Sequence, residues 1–238
     1  MATDPDPVTS LDDPRALTIL STEHWSLLSA RSLAYNEAFT RGGMFLTFLS
    51  MSFIALALVA DAMAFGNQFL TVAAIVLAFD FVIGLATYGR IMGANLDDMR
   101  AVHGMARIRH GYTQIAPVTS RYFTSATNDD LAGVMKAYGN PAQSGVGDLL
   151  YGLTTSGGMI GLIVSMVGGV LIGVISMMFG VSGSLAVWAG VAGFVLVFAL
   201  LLYLTTGQIA THQARVESLF PSTPEPTAAA VSVDTEAP

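Results

Sequence analysis

Residues 157–180 read GGMIGLIVSMVGGVLIGVISMMFG, and residues 183–206, just beyond, read GSLAVWAGVAGFVLVFALLLYLTT. Neither stretch contains Asp, Glu, Lys or Arg, and both lie inside a run of 66 residues, between Asp148 and Arg215, that has none. A bilayer core of about 30 Å takes roughly 20 helical residues at 1.5 Å each, so either stretch is long enough to cross once. The uncharged turn at Phe179, Gly180, Val181, Ser182 and Gly183 then makes the pair a tight hairpin. Moving outward, a second pair occupies about 43–63 and 68–89, linked through Gly66 and Asn67. There the only charges between Arg41 and Arg90 are Asp61 and Asp80.

Composition agrees with this reading. Of 238 residues, 53% are hydrophobic and 11% charged, where soluble domains carry about a quarter charged residues. Such uncharged runs would leave a soluble domain with large exposed apolar patches, which excludes an ordinary soluble enzyme, a nucleic-acid binder and a disordered scaffold. There is no cysteine, and so no disulfide, thiolate metal site or cysteine nucleophile. The first 40 residues lack a short apolar core behind a basic start, so no signal peptide is expected. The predicted fold class is an all-α membrane protein: two transmembrane helical hairpins, four spans, with long cytoplasmic helical extensions.

All ten basic residues fall outside the spans and away from both hairpin turns: Arg15, Arg31 and Arg41 before the first span, six between Arg90 and Lys136, and Arg215 after the last. The positive-inside rule then places both termini and the central loop in the cytoplasm of a cell (inner) membrane protein. The expected organisation is a disordered 1–13, a cytoplasmic amphipathic helix 14–42, a hairpin 43–89, a cytoplasmic helical region 90–148, a hairpin 149–207 and a tail 208–238 disordered from about 221. Asp12-Asp13-Pro14 reads as a helix start. From there Leu17, Leu20, Trp25, Leu28, Tyr35 and Phe39 recur at helical spacing, as a face packed on the cytoplasmic region or on neighbouring subunits, or as an interfacial helix among lipid headgroups. The helix after the second span should continue to Pro117. A shorter one should start at Thr127, three before Asp130, run to Tyr138 and stop at Gly139.

Three groups of residues carry candidate function. Asp80 sits near the middle of the second span, where an aspartate costs about 2.5–3.5 kcal/mol, and no Lys, Arg or His lies in any span. Counted from the turn at Gly66, it is level with Ser52, and Ser50 is half a turn away. Either a protonated carboxyl bonds one of these hydroxyls, or a ring of carboxylates attracts cations or relays protons, with Asp61 as an acidic vestibule. Gly157, Gly161, Ser165, Gly169 and Gly173 form a small-xxx-small ladder, which argues for close helix packing or a homo-oligomer. Arg100, His103, Arg107, Arg109 and His110, in a seven-residue echo, could hold a phosphate or an anionic lipid headgroup, or be positive-inside residues on a solvated face.

Catalytic and metal-binding motifs are absent from the sequence, so no catalytic residue, metal or cofactor is assigned and an enzyme is not expected. The run LSTEHWSLLSARSLAYNEAFTR, residues 20–41, resembles the N-terminal segment of a family of uncharacterised four-span membrane proteins in actinobacteria. The resemblance covers about half the chain, the first hairpin and the start of the central loop, and implies topology and bacterial origin without an activity. The sequence leads to an oligomeric passive cation channel or pore as the expected function. The alternative is a non-conducting scaffold or accessory protein binding a partner through its cytoplasmic helices, and an electroneutral transporter ranks third. Membrane lipid is an expected partner and nucleic acid is not.

Overall fold

The computed structural model describes residues 8–139 and 146–222. The chain is all-α, with four long apolar helices packed as two hairpins. Helix α1 spans Pro14–Ala62 and α2 spans Asn67–Ile115, 49 residues each and about 73 Å long at 1.5 Å per residue. A 3-10 turn at Pro117–Tyr122 and the short α3, Leu131–Ala137, follow. Then come α4, Val146–Thr154, α5, Ser156–Met178, and α6, Gly183–Arg215. The four long helices make this a multi-span membrane protein.

Local sequence accounts for the breaks. Between α1 and α2 the chain reverses through Ala64 and Phe65, both in the left-handed region at φ 47° and 55°. Gly180, at φ +78°, makes the corresponding reversal between α5 and α6. The Thr155 hydroxyl accepts from the Gly158 N–H, capping α5 and separating it from α4. The cap of α3 differs from the sequence expectation. Asp130, not Thr127, accepts from the Gly133 N–H, and the helix starts at Leu131. Here a carboxylate with its own helix to cap displaces the capping-box pattern. Gly139, at φ +71°, follows the end of α3.

Two compact units divide the described residues. The first takes residues 8–24, 102–139 and 218–222; the second takes 25–101 and 146–217. The expected disorder at 1–7 and 223–238, and most of the link at 140–145, lie outside the described residues.

In the second unit, the core joins Phe45 and Leu49 of α1, Leu77 and Ile91 of α2, Ile160, Val164 and Val167 of α5, and Val197 and Leu201 of α6. Its buried positions follow a seven-residue pattern. In α1 they are Ala38, Gly42, Phe45, Leu49 and Ser52; in α2, Ala73, Leu77, Asp80 and Gly84, then Ile91, Ala94, Asp98 and Ala101. Steps of four and three average 3.5 residues, the period of left-handed helix packing. Much of this buried stripe is small or polar, and the large apolar residues turn outward. Leu17, Trp25, Leu28, Tyr35 and Phe39 are all exposed, Trp25 at 66% and Phe39 at 68%. These five side chains have little cover among the described residues, whereas Leu20 of the same face is half-buried beside Gly111 and the Tyr35 hydroxyl donates to Asp98. Helix α1 continues without a break into the first span.

Candidate functional site

In the transmembrane unit, Asp80 is fully buried, and its Oδ1 accepts a hydrogen bond from Ser52 Oγ at 2.9 Å. The hairpin register brings these two level, one from each arm, as residue counting from Gly66 anticipates. Ser50 is not involved: it is exposed and its hydroxyl donates to the Leu46 carbonyl within α1. Asp61 is exposed at the end of α1. Among the described residues, Asp80 Oδ2 has no hydrogen-bond partner. The structure thus assembles Ser52 and Asp80 and leaves Ser50 and Asp61 apart from them.

Further along the same hairpin, Glu37 accepts from Arg90 Nε at 2.8 Å and from Arg41 Nε at 2.9 Å. Asp98, also buried, accepts from Arg31 Nε at 2.6 Å and from the Tyr35 hydroxyl at 3.3 Å. These ties cross the hairpin as Ser52–Asp80 does, offset from its register by the reach of the long arginine side chains. Neither was singled out from the sequence, because neither pair is equidistant from the Gly66 turn as Ser52 and Asp80 are.

The ladder on α5 is occupied within the chain. A methyl on Gly161 would stand 2.8 Å from the Tyr88 ring, and one on Gly169 would stand 2.7 Å from the Gly190 carbonyl oxygen. Gly157 faces Met92, Gly173 faces Ala186, and Ser165 is buried with its hydroxyl on the Gly161 carbonyl. Close packing against α2 and α6 therefore accounts for the small residues, and they supply no reason to invoke a second copy.

The basic cluster expected to bind an anion is engaged in the other unit and around it. Arg107 Nε donates to Asp129 Oδ2 at 2.7 Å, and His103 Nδ1 meets the Asp129 carbonyl at 2.9 Å. His110 stacks on Phe220 with ring centroids 3.8 Å apart. Arg109 lies near His24, whose ring stacks on Tyr112, and burial first, then the Arg109 charge, holds that imidazole below its ordinary value. Arg100, in the transmembrane unit, pairs with Asp97 at 2.6 Å and borders an open cavity of about 720 Å³ with Tyr203, Thr206 and Gln208. The seven-residue echo thus distributes its members among separate partners.

What the cluster surrounds is a clamp on the segment Ser218–Ser222. Asp129 is fully buried and its two oxygens take four donors: Arg107, Ser218 Oγ at 2.8 Å, and the N–H groups of Leu219 at 3.0 Å and Phe220 at 2.8 Å. Burial alone would push this carboxyl up; the hydrogen bonds from Leu219, Arg107, Phe220 and Ser218 outweigh it and hold the group well below the usual carboxylate range. Beside it, Asp130 Oδ2 accepts from the N–H and hydroxyl of Ser222. Ser222, near the start of the tail, is thus bonded to Asp130. The pairing spans about ninety residues of sequence, and nothing in the local pattern marks it. Among the described residues, no three or more His, Cys, Asp or Glu side chains gather where they could hold a metal ion.

The chain matches no family model, no curated protein and no solved structure. The resemblance noted for residues 20–41 therefore contributes no family, and the four apolar helices stand as the shared feature.

Proposed function

We propose that the protein is a non-conducting membrane scaffold that binds a partner protein through the part of α1 that precedes its span. The supporting observation is the outward stripe Leu17, Trp25, Leu28, Tyr35 and Phe39, all N-terminal to Arg41 and thus outside the hydrocarbon. Aromatic and aliphatic groups on one helical face in that position suit a partner's apolar helix laid alongside. The positive-inside distribution puts the stripe in the cytoplasm, with both termini on the same side. Catalysis has no part in this reading.

A cation path past Asp80 is the second reading, favoured by the carboxylate oxygen that has no partner among the described residues. Against it stands the complete burial of Asp80, with Ser52 closing one side. Two measurements separate these readings. In proteoliposomes under a potassium gradient, the scaffold reading expects no flux above empty liposomes; a flux abolished by Asp80→Asn overturns it. In gentle detergent extracts of native membranes, a protein should co-purify with the wild type and be lost from Trp25→Asp/Leu28→Asp at unchanged elution volume. Recovery of the same proteins with both chains also overturns the scaffold reading.

A further inference from the structure

In the unit that holds the clamp, a cavity of about 310 Å³ is lined by Phe123, Ser125, Thr127, Asn128, Lys136 and Ser222, among others. No carboxylate lines it. The neighbouring acids are turned to other work: Asp130 accepts from Gly133 and Ser222, and Asp129 from Arg107 and the tail segment. No hydrogen bond or ion pair engages the side chains of Ser125, Thr127, Asn128 or Lys136 among the described residues. The lining therefore includes a lysine, two hydroxyl residues and an asparagine whose side-chain donors are unengaged among the described residues, together with one aromatic residue.

We propose that this cavity is a binding site for a small phosphate monoester. A lysine, two hydroxyl residues and an asparagine lining one cavity suit an oxyanion with several acceptor oxygens, and a charge-assisted bond from Lys136 would supply the strongest contact. Its volume lies at the lower end of the range of ligand pockets, about 300 Å³, enough for the phosphate and a small organic group against Phe123. Ser222 forms part of the wall, so the site is complete only while the tail segment is clamped by Asp130. This assignment is independent of the partner-binding role of α1. It also differs from the anion site read from the sequence, since it uses none of Arg100, His103, Arg107, Arg109 and His110.

The chemistry can come from a soluble monoester or from a phosphomonoester lipid headgroup. The test uses the full-length chain in nanodiscs of phosphatidylcholine, titrated calorimetrically with inorganic phosphate and with glycerol 3-phosphate. A parallel arm measures binding to vesicles with and without phosphatidic acid. Binding in at least one arm is expected, weakened about tenfold or more by Lys136→Ala, the loss of a charge-assisted bond, and largely restored by Lys136→Arg. Heat with glycerol 3-phosphate identifies a soluble ligand; a response to phosphatidic acid alone identifies the headgroup. Lys136 is exposed, so its replacement does not threaten folding. Absence of binding in every arm, or an affinity that neither Lys136→Ala nor Asn128→Ala changes, overturns the proposal.

Discussion

Asp80 in the transmembrane unit and Asp129 in the other are both fully buried, yet their surroundings are opposite. Asp129 receives four donors on two oxygens, one of them a guanidinium. Asp80 receives one hydroxyl on one oxygen. The difference follows from what each unit can supply. Irregular chain near Asp129 offers free backbone N–H groups, whereas inside a bundle of continuous helices those groups are already taken by the helices. A buried carboxylate can thus organise a loop-rich unit around itself, while among spans it can only be tolerated by a side chain that happens to face it.

The sharpest test of that contrast is Asp129→Ala. It strips the donors of their acceptor and leaves Arg107 without its partner, and should cost about 3–5 kcal/mol in thermal or denaturant unfolding. Proteolysis should then cut within Ser218–Ser222, a segment protected in the parent chain. Ser52→Ala, which leaves Asp80 with neither oxygen bonded, should cost less, about 1–3 kcal/mol, measured as a shift in unfolding of the detergent-solubilised protein. Equal costs for the two substitutions would break the comparison.

Acid sharpens it further. Because the folded Asp129 carboxyl lies below its ordinary value, its contribution is complete above about pH 4 and fades only as pH falls through the lower folded value. His24 also has a depressed folded value, so the unfolded chain takes up its proton first and stability falls as pH drops below 6.5. Melting temperature should therefore decline modestly from pH 7.5 to 5.5, and His24→Gln should flatten that decline without loosening the clamp. Asp61→Asn gives the smallest effect: exposed at the end of α1, it should leave both the melt and the elution profile unchanged.

The elements that could be read from sequence were those set by residues close together in the chain. Four apolar runs, two short turns, the stop at Gly139 and the level of Ser52 against Asp80 all depend on local composition or on counting from a tight turn. Which face of α1 is buried was not readable in that way. Hydrophobicity separates inside from outside where water is the solvent; a helix that also meets lipid, or a partner, can turn its large apolar residues outward. The informative signal was a seven-residue recurrence in which many positions are small or polar: Ala38, Gly42 and Ser52 on α1, and Ala73, Asp80, Gly84, Ala94, Asp98 and Ala101 on α2. The clamp was hidden for a different reason. Asp129 and Phe220 are 91 residues apart, and two of the four donors to Asp129 are backbone N–H groups, of Leu219 and Phe220, which leave no trace in side-chain pattern. In the basic cluster at 100–110, Arg100 and Arg107 meet negative charge that the chain itself provides, in Asp97 and Asp129.

That separation of 91 residues bears on how the protein is made. At about 5–20 residues per second, translation reaches Phe220 roughly 5–20 s after Asp129 has been added. Throughout that interval the carboxylate and Arg107 have emerged without the segment that will cover them, and both helices of the second hairpin must be synthesised before it arrives. Closure of the clamp is therefore a late event in biogenesis, and a chain arrested before Ser218 would display an uncovered acidic groove to chaperones and proteases.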